Sequence, residues 1–147
     1  MNKFTKITAM AIIVISSVGF IANAESHAPM MGDAAAEALM KANGGAVGAL
    51  AKMAKGDIAF DAVAAQAAKQ VLIDNAKMTP EVFKEPFTEG EVLPAIWENY
   101  DDFIVKAKAF EDAATALDVT SVETIGAGLG AIGGTCGGCH KLYRKPS

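Results

Sequence analysis

The stretch Cys136-Gly137-Gly138-Cys139-His140 concentrates the chemistry of this chain. On a helix, residues three and four apart share a face, so Cys136 would stand beside both Cys139 and His140. Two sulfurs with an imidazole next to them suit thioether bonds to the vinyl groups of a haem, with the histidine below the iron. Cys-x-x-Cys-His is the order associated with c-type haem attachment. Other uses of these residues fit less well. A disulfide between cysteines three apart in one helix would staple almost nothing. A thioredoxin-like redox pair needs a βαβ context, and no convincing strand can be read here. A zinc site needs a fourth ligand, and the remaining Cys or His is His27, near the expected mature terminus. One covalently bound haem c per chain is expected, attached through Cys136 and Cys139 with His140 on the iron.

The elements that must position this motif are helical, because apolar residues recur every three or four positions. The first helix is expected from Asp33 to Lys55, stopped by Gly56-Asp57, and the second from Asp61 to Ala76. A connection from Lys77 to Gly90 contains Pro80, Pro86 and Gly90, with a short turn in which Thr79 caps Pro80. The third helix runs from Glu91 or Leu93 to Leu117, with Ile96, Tyr100, Phe103, Ala107, Phe110, Ala114 and Leu117 as its seam. The fourth opens on Thr120-Ser121-Val122-Glu123, read as a capping box with Thr120 as N-cap. Its seam is Val122, Ile125, Leu129, Ile132, Cys136, Cys139 and Tyr143, so the cysteines extend a buried stripe. Seven glycines from Gly126 to Gly138 oppose helix by propensity. Packing must override them, and small residues suit a helix that a flat macrocycle approaches closely. Short connections make the first and second helices, and the third and fourth, antiparallel neighbours. The fold class is all-α, an up-down-up-down antiparallel four-helix bundle with a covalent haem, in one domain over residues 25–147.

In that topology the end of the fourth helix lies level with the start of the first, where Met40 stands about two turns in. Met53 is 13 residues further on, about 20 Å along the axis at a rise of about 1.5 Å per residue. A thioether is a good axial ligand and raises the reduction potential of a cytochrome c iron. Met40 is thus the candidate sixth ligand, against its reading as a core gap-filler. Trp97 is an aromatic wall of the haem pocket or a core residue. Tyr143 and Arg144 follow the ligand histidine closely. Arg144 pairs with a propionate, stands by the iron-bound histidine, or is a solvated cation at a helix C-terminus.

Residues 1–24 have the anatomy of a secretory signal peptide: Lys3 and Lys6, an uncharged run from Ile7 to Ile21, then Ala22-Asn23-Ala24. The apolar run is shorter than the roughly 20 residues of a spanning helix, so no membrane anchor is expected after cleavage. The whole chain has 13 basic and 17 acidic side chains; without Lys3 and Lys6 the mature chain has 11 against 17, a balance of −6. An acidic protein is a poor match for nucleic acid, whose phosphates call for a basic face. No residue set offers a nucleophile with a positioned base, so no enzymatic activity is expected.

With these residues in hand, the mature chain resembles the cytochrome c-prime family, including its low-spin cytochrome c-556 branch. The resemblance rests on Cys136-Gly137-Gly138-Cys139-His140 near the C-terminus followed by Tyr143-Arg144, on Ala95-Ile96-Trp97, and on Leu39-Met40-Lys41-Ala42-Asn43-Gly44. It implies a four-helix bundle with His140 as proximal ligand. In the high-spin branch the position matching Met40 is usually a non-ligating apolar residue, and an arginine one turn earlier contacts the haem; this chain has Met40 and Ala36. The low-spin branch is therefore expected: a periplasmic one-electron carrier with a His140 and Met40 ligated haem, docking redox partners through their basic patches. The alternative is a five-coordinate binder of nitric oxide or carbon monoxide. The resemblance also implies a homodimer through the first two helices.

Overall fold

The computed structural model describes residues 32–146; the expected signal peptide at 1–24 and His27 lie outside them. The first helix, α1, spans Asp33–Lys55 as the sequence indicates, because its end is written locally. Gly56 adopts φ 77°, and its N–H meets the Met53 carbonyl at 3.0 Å while Asp57 N–H reaches Lys52 O at 2.9 Å. This left-handed cap satisfies carbonyls that the helix leaves open. One face of α1 is buried through Ala36, Leu39, Asn43, Ala46, Leu50 and Met53.

The second helix, α2, spans Ala62–Val82. The Asp61 carboxylate accepts from Val63 N–H at 2.9 Å and Ala64 N–H at 3.0 Å, a side-chain N-cap. The helix runs six residues past the expected end at Ala76 and carries Pro80 in its last turn. Thr79 does not cap Pro80: its hydroxyl donates to the Asn75 carbonyl at 2.8 Å, one turn back inside the helix. A proline this near a C-terminus removes one ladder bond instead of breaking the helix midway.

The expected third helix is two pieces. Following Pro94, α3 spans Ala95–Glu98 and α4 spans Tyr100–Ala116, with Asn99 at φ −130°, ψ 43° between them. The Asn99 side chain donates to Ala95 O at 3.2 Å, where its own backbone N–H also points. Such local competition for a backbone carbonyl is why asparagine interrupts helices. The apolar seam survives the break, with Ile96, Phe103, Ala107, Ala114 and Leu117 all buried.

The last helix, α5, spans Val122–Tyr143. Its N-cap is Ser121, one residue after the expected Thr120. Thr124 N–H donates to Ser121 Oγ at 3.2 Å and Ser121 N–H donates to Thr124 Oγ1 at 3.1 Å, so the reciprocal partner is Thr124 and not Glu123. Thr120 is engaged elsewhere, donating its N–H and hydroxyl to Asp118 at 2.9 and 2.7 Å.

In the all-α bundle, α1 packs on α2, α2 on α4, α4 on α5 and α5 back on α1. The C-terminal end of α5 is tied to the segment before α3, where Leu93 N–H donates to Tyr143 O at 2.9 Å and Lys145 N–H to Glu91 O at 2.8 Å. Two apolar clusters result. Leu50, Leu72, Ile125 and Ile132 centre the one at the α1–α2 turn. Leu39, Val82, Phe83, Ile96, Phe103 and Tyr143 form the other. Cys136 packs against the first and Cys139 against the second, so the motif sits where they meet. No helix among the described residues is long and apolar enough to cross a membrane.

Candidate haem site

Two cavities open where α1 meets the last turns of α5. An end cavity of about 600 Å³ is lined by Ala36, Met40, Phe103, Cys139, His140, Tyr143 and Arg144, with Asp33, Glu37, Lys41 and Glu91 among its polar residues. A middle cavity of about 460 Å³ is lined by Met40, Asn43, Gly44, Gly48, Thr79, Phe110, Cys136, Cys139, His140 and Arg144, among others. Met40, Cys139, His140 and Arg144 belong to both, so the two spaces adjoin as one slot bordered by α1 and α5, with α2 and α4 contributing Thr79, Phe103, Ala107 and Phe110.

The helix periods explain why these residues converge. Cys136, Cys139, His140 and Tyr143 follow one another at three- or four-residue spacing on α5. On α1, Met40, Gly44 and Gly48 repeat every four. A Cβ built on Gly44 or Gly48 meets nothing within 4 Å, so this wall of the slot is bare backbone. The glycines of α5 play a different part from the one expected. Gly126 packs near Ala54 and Gly128 against Leu117, while Gly130, Gly133, Gly134, Gly137 and Gly138 have open space beyond them. Neither cavity is lined by them. The close-approach surface therefore comes from α1.

Burial sets the protonation of the site. It raises the Cys136 thiol above its ordinary value and pushes Cys139 up to about 11, so both are protonated thiols at neutral pH. Burial, and then the Arg144 guanidinium, lower His140 from the ordinary imidazole value. Its ring is neutral at pH 7 and keeps a lone pair for a metal.

Tyr143 lines the end cavity, stacks edge-on against Phe103 at a centroid distance of 5.5 Å, and donates its hydroxyl to Asp102 Oδ2 at 2.6 Å. Gly44 lines the middle cavity and Arg144 both. Trp97 is not among the lining residues of either; its indole N–H donates to Phe83 O at 2.9 Å and its ring meets Phe87 edge-on. A feature missed from the sequence is the pair Asn43 and Asn75, in which Asn75 Nδ2 donates to Asn43 Oδ1 at 2.9 Å. The available signal was a polar residue at a seam position of α1, between Leu39 and Ala46.

A helical bundle with a Cys-x-x-Cys-His segment facing an interhelical slot defines a haem protein of the c type. The slot accommodates the group: a mostly apolar volume with charged residues at its end and a backbone wall on α1, and two thiols with a neutral imidazole on α5. The family described as Cytochrome C' matches residues 34–144. A cytochrome c-556 from Agrobacterium tumefaciens (strain apple 185) is 44% identical over 111 residues, covering 73% of this chain and 89% of that protein. The structure of a cytochrome c' from Rhodopseudomonas palustris superposes with a TM-score of 0.70 at 28% identity, covering 78% of this chain and 95% of that one. An NMR-validated structural model of oxidised cytochrome c556 from R. palustris gives 0.66 at 29%, covering 76% and 93%. The chain belongs to the cytochrome c' family. Like that family it binds one covalent haem c and is not an enzyme, and the family is typically periplasmic.

Proposed function

We propose that this chain is an exported one-electron carrier of the low-spin, c-556-like branch. Cys136 and Cys139 would hold the haem by thioether bonds, and the His140 imidazole and the Met40 thioether would be the ligands of its iron. The observation that carries this reading is that Met40 on α1 and His140 on α5 line both halves of the same slot. Relatives named cytochrome c-556, such as the 44% identical one, support the branch. The departure at Ala36, which is 5% exposed and lines the end cavity, also supports it by leaving no arginine at that position.

The bound haem supplies ferric–ferrous chemistry, at a potential that a thioether ligand raises. The chain keeps His140 neutral and holds Met40 and His140 on two packed helices, so the same two ligands serve both oxidation states. The formal balance of −6 in the mature chain suits redox partners with a basic docking patch, and that steering weakens with salt. It does not suit nucleic acid. Export rests on residues 1–24, and N-terminal sequencing of the periplasmic protein should begin at Glu25.

Absorption spectra of the holoprotein in both redox states test the ligation. The ferric wild type should be low-spin, and Met40→Ala should convert it to high-spin. An unchanged ferric spin state in Met40→Ala would show that Met40 is not a ligand. A high-spin wild type whose ferrous form takes up carbon monoxide would replace the carrier with a gas binder.

A further inference from the structure

We propose that Asn43 donates an amide hydrogen bond to the Met40 thioether and is a positioning residue for the axial sulfur; this rests on the ligation proposed above. Asn43 is 9% exposed and lines the middle cavity together with Met40. The two are three apart on α1 and so neighbours along it; Met40, 37% exposed, stands beside the buried stripe to which Asn43 belongs.

The orientation of the Asn43 amide follows from its neighbours. Asn75 Nδ2 lies 3.4 Å from Leu39 O and 2.9 Å from Asn43 Oδ1. A backbone carbonyl only accepts, so the Asn75 atom facing it is the nitrogen, and the Asn43 atom facing that nitrogen is the oxygen. The Asn43 NH2 group is thereby turned away from Asn75. Among the described residues, no hydrogen bond joins it to an acceptor, yet no solvent-inaccessible side-chain nitrogen or oxygen is unpartnered. Asn43 Nδ2 therefore borders open space, and the space Asn43 lines is the middle cavity.

A thioether sulfur has two lone pairs. With one directed to iron, the other remains as a weak acceptor. Holding that second lone pair on Asn43 fixes which way the sulfur faces, and Asn75 in turn clamps Asn43. Partners of this kind behind a metal ligand orient it and tune the metal. An N–H donor draws electron density from the sulfur, so it disfavours the ferric state and raises the potential.

The test uses the full haem-loaded protein. In the ferrous, diamagnetic state, nuclear Overhauser spectra should show a cross-peak between the Asn43 Nδ2 protons and the Met40 ε-methyl. In Asn43→Leu the ferrous-to-ferric ratio at a fixed electrode potential should fall about threefold, which is about 28 mV at about 59 mV per tenfold for one electron. Asn75→Leu keeps the Asn43 donor, so it should lose stability with a smaller fall in that ratio. Equal shifts in the two variants would assign the effect to packing and overturn the proposal. So would a cross-peak from Asn43 to the Thr79 methyl in place of Met40. Met40→Ala separates the two layers. If it leaves the ferric spin state unchanged, the ligation reading fails and takes this proposal with it. If it changes the spin state while Asn43→Leu keeps the wild-type potential, only the hydrogen bond is wrong.

Discussion

Replacing Tyr143 by phenylalanine would keep the ring and delete one hydroxyl, the group that joins the end of α5 to α4. The hydroxyl donates to Asp102 Oδ2 at 2.6 Å from a side chain only 5% exposed. A hydrogen bond to a charged acceptor contributes about 1.5–3 kcal/mol. Asp102 is 51% exposed, however, and has Lys106 at 3.6 Å, so water and the ammonium recover part of what its carboxylate loses. A net cost of about 1 kcal/mol follows for Tyr143→Phe, or about 4 °C in melting temperature for a domain of this size. Asp102→Ala is the harsher change, because it strands a buried phenol at a cost of about 1–3 kcal/mol. Adding Tyr143→Phe to Asp102→Ala removes that stranded group, and the cycle should return a coupling of about 1 kcal/mol.

Alkaline pH gives the same tether a second readout. Burial, then the hydrogen bond to Asp102 and its negative charge, push the Tyr143 phenol from the ordinary 10 up to about 12. A group whose pKa is raised by folding stabilises fully below its unfolded value and loses that contribution as pH climbs through the folded one. The advantage of wild type over Tyr143→Phe should be constant below about pH 9, shrink through about pH 10 and be gone near about pH 11, because a rise of about two pKa units outweighs about 1 kcal/mol. Thermal unfolding of the holoproteins by circular dichroism measures both quantities. A Tyr143→Phe melt within 1 °C of wild type at pH 7, or an unchanged difference at high pH, would refute the reasoning.

Ser121→Ala should lower stability by about 1 kcal/mol in thermal unfolding, while Thr120→Ala, whose hydroxyl bonds Asp118 outside the helix, should cost only a few tenths. A larger loss in Thr120→Ala than in Ser121→Ala would return the cap to Thr120. Gly130→Ala should stabilise by about 0.5–1 kcal/mol, because its added methyl group meets nothing within 4 Å in mid-helix. Gly128→Ala should lose that gain in the same melts, because its Cβ would stand 2.4 Å from Leu117 Cδ1 in the core.

What could be read from the sequence depended on how local the deciding interaction was. The end of α1 is set by Gly56, which needs nothing outside its own turn, and it falls where the glycine puts it. The cap of α5 moved by one residue because Thr120 and Ser121 both can cap, and the Asp118 carboxylate takes Thr120. Pro80 invited an early end to α2, yet Val82 beyond it packs in the core and rewards two further residues of helix. The break at Asn99 leaves no trace in the apolar spacing, since the seam resumes in phase at Phe103. Within the site, Cys136, Cys139, His140 and Met40 could be brought together by counting turns. Which glycines face the slot could not, because that depends on the rotation of α1 and α5 about their own axes.

The two apolar clusters divide the work of the molecule. At the α1–α2 turn, Leu50, Leu72, Ile125 and Ile132 are fully enclosed by one another's helices and line neither cavity. That half can hold the helical register that brings Met40 and His140 to the same cavities. At the other end, Leu39, Ile96, Phe103 and Tyr143 share their contacts with the walls of the end cavity and its neighbourhood. Substitutions around Ile125 should therefore register as lost stability with an unaltered spectrum, whereas those around Leu39 or Asn43 should register in the haem spectrum and potential as well. Because Cys136 packs with the first cluster and Cys139 with the second, covalent attachment at both would fasten the cofactor across the boundary between them. The buried seam of α5 and the chemistry of its last two turns are then the same feature.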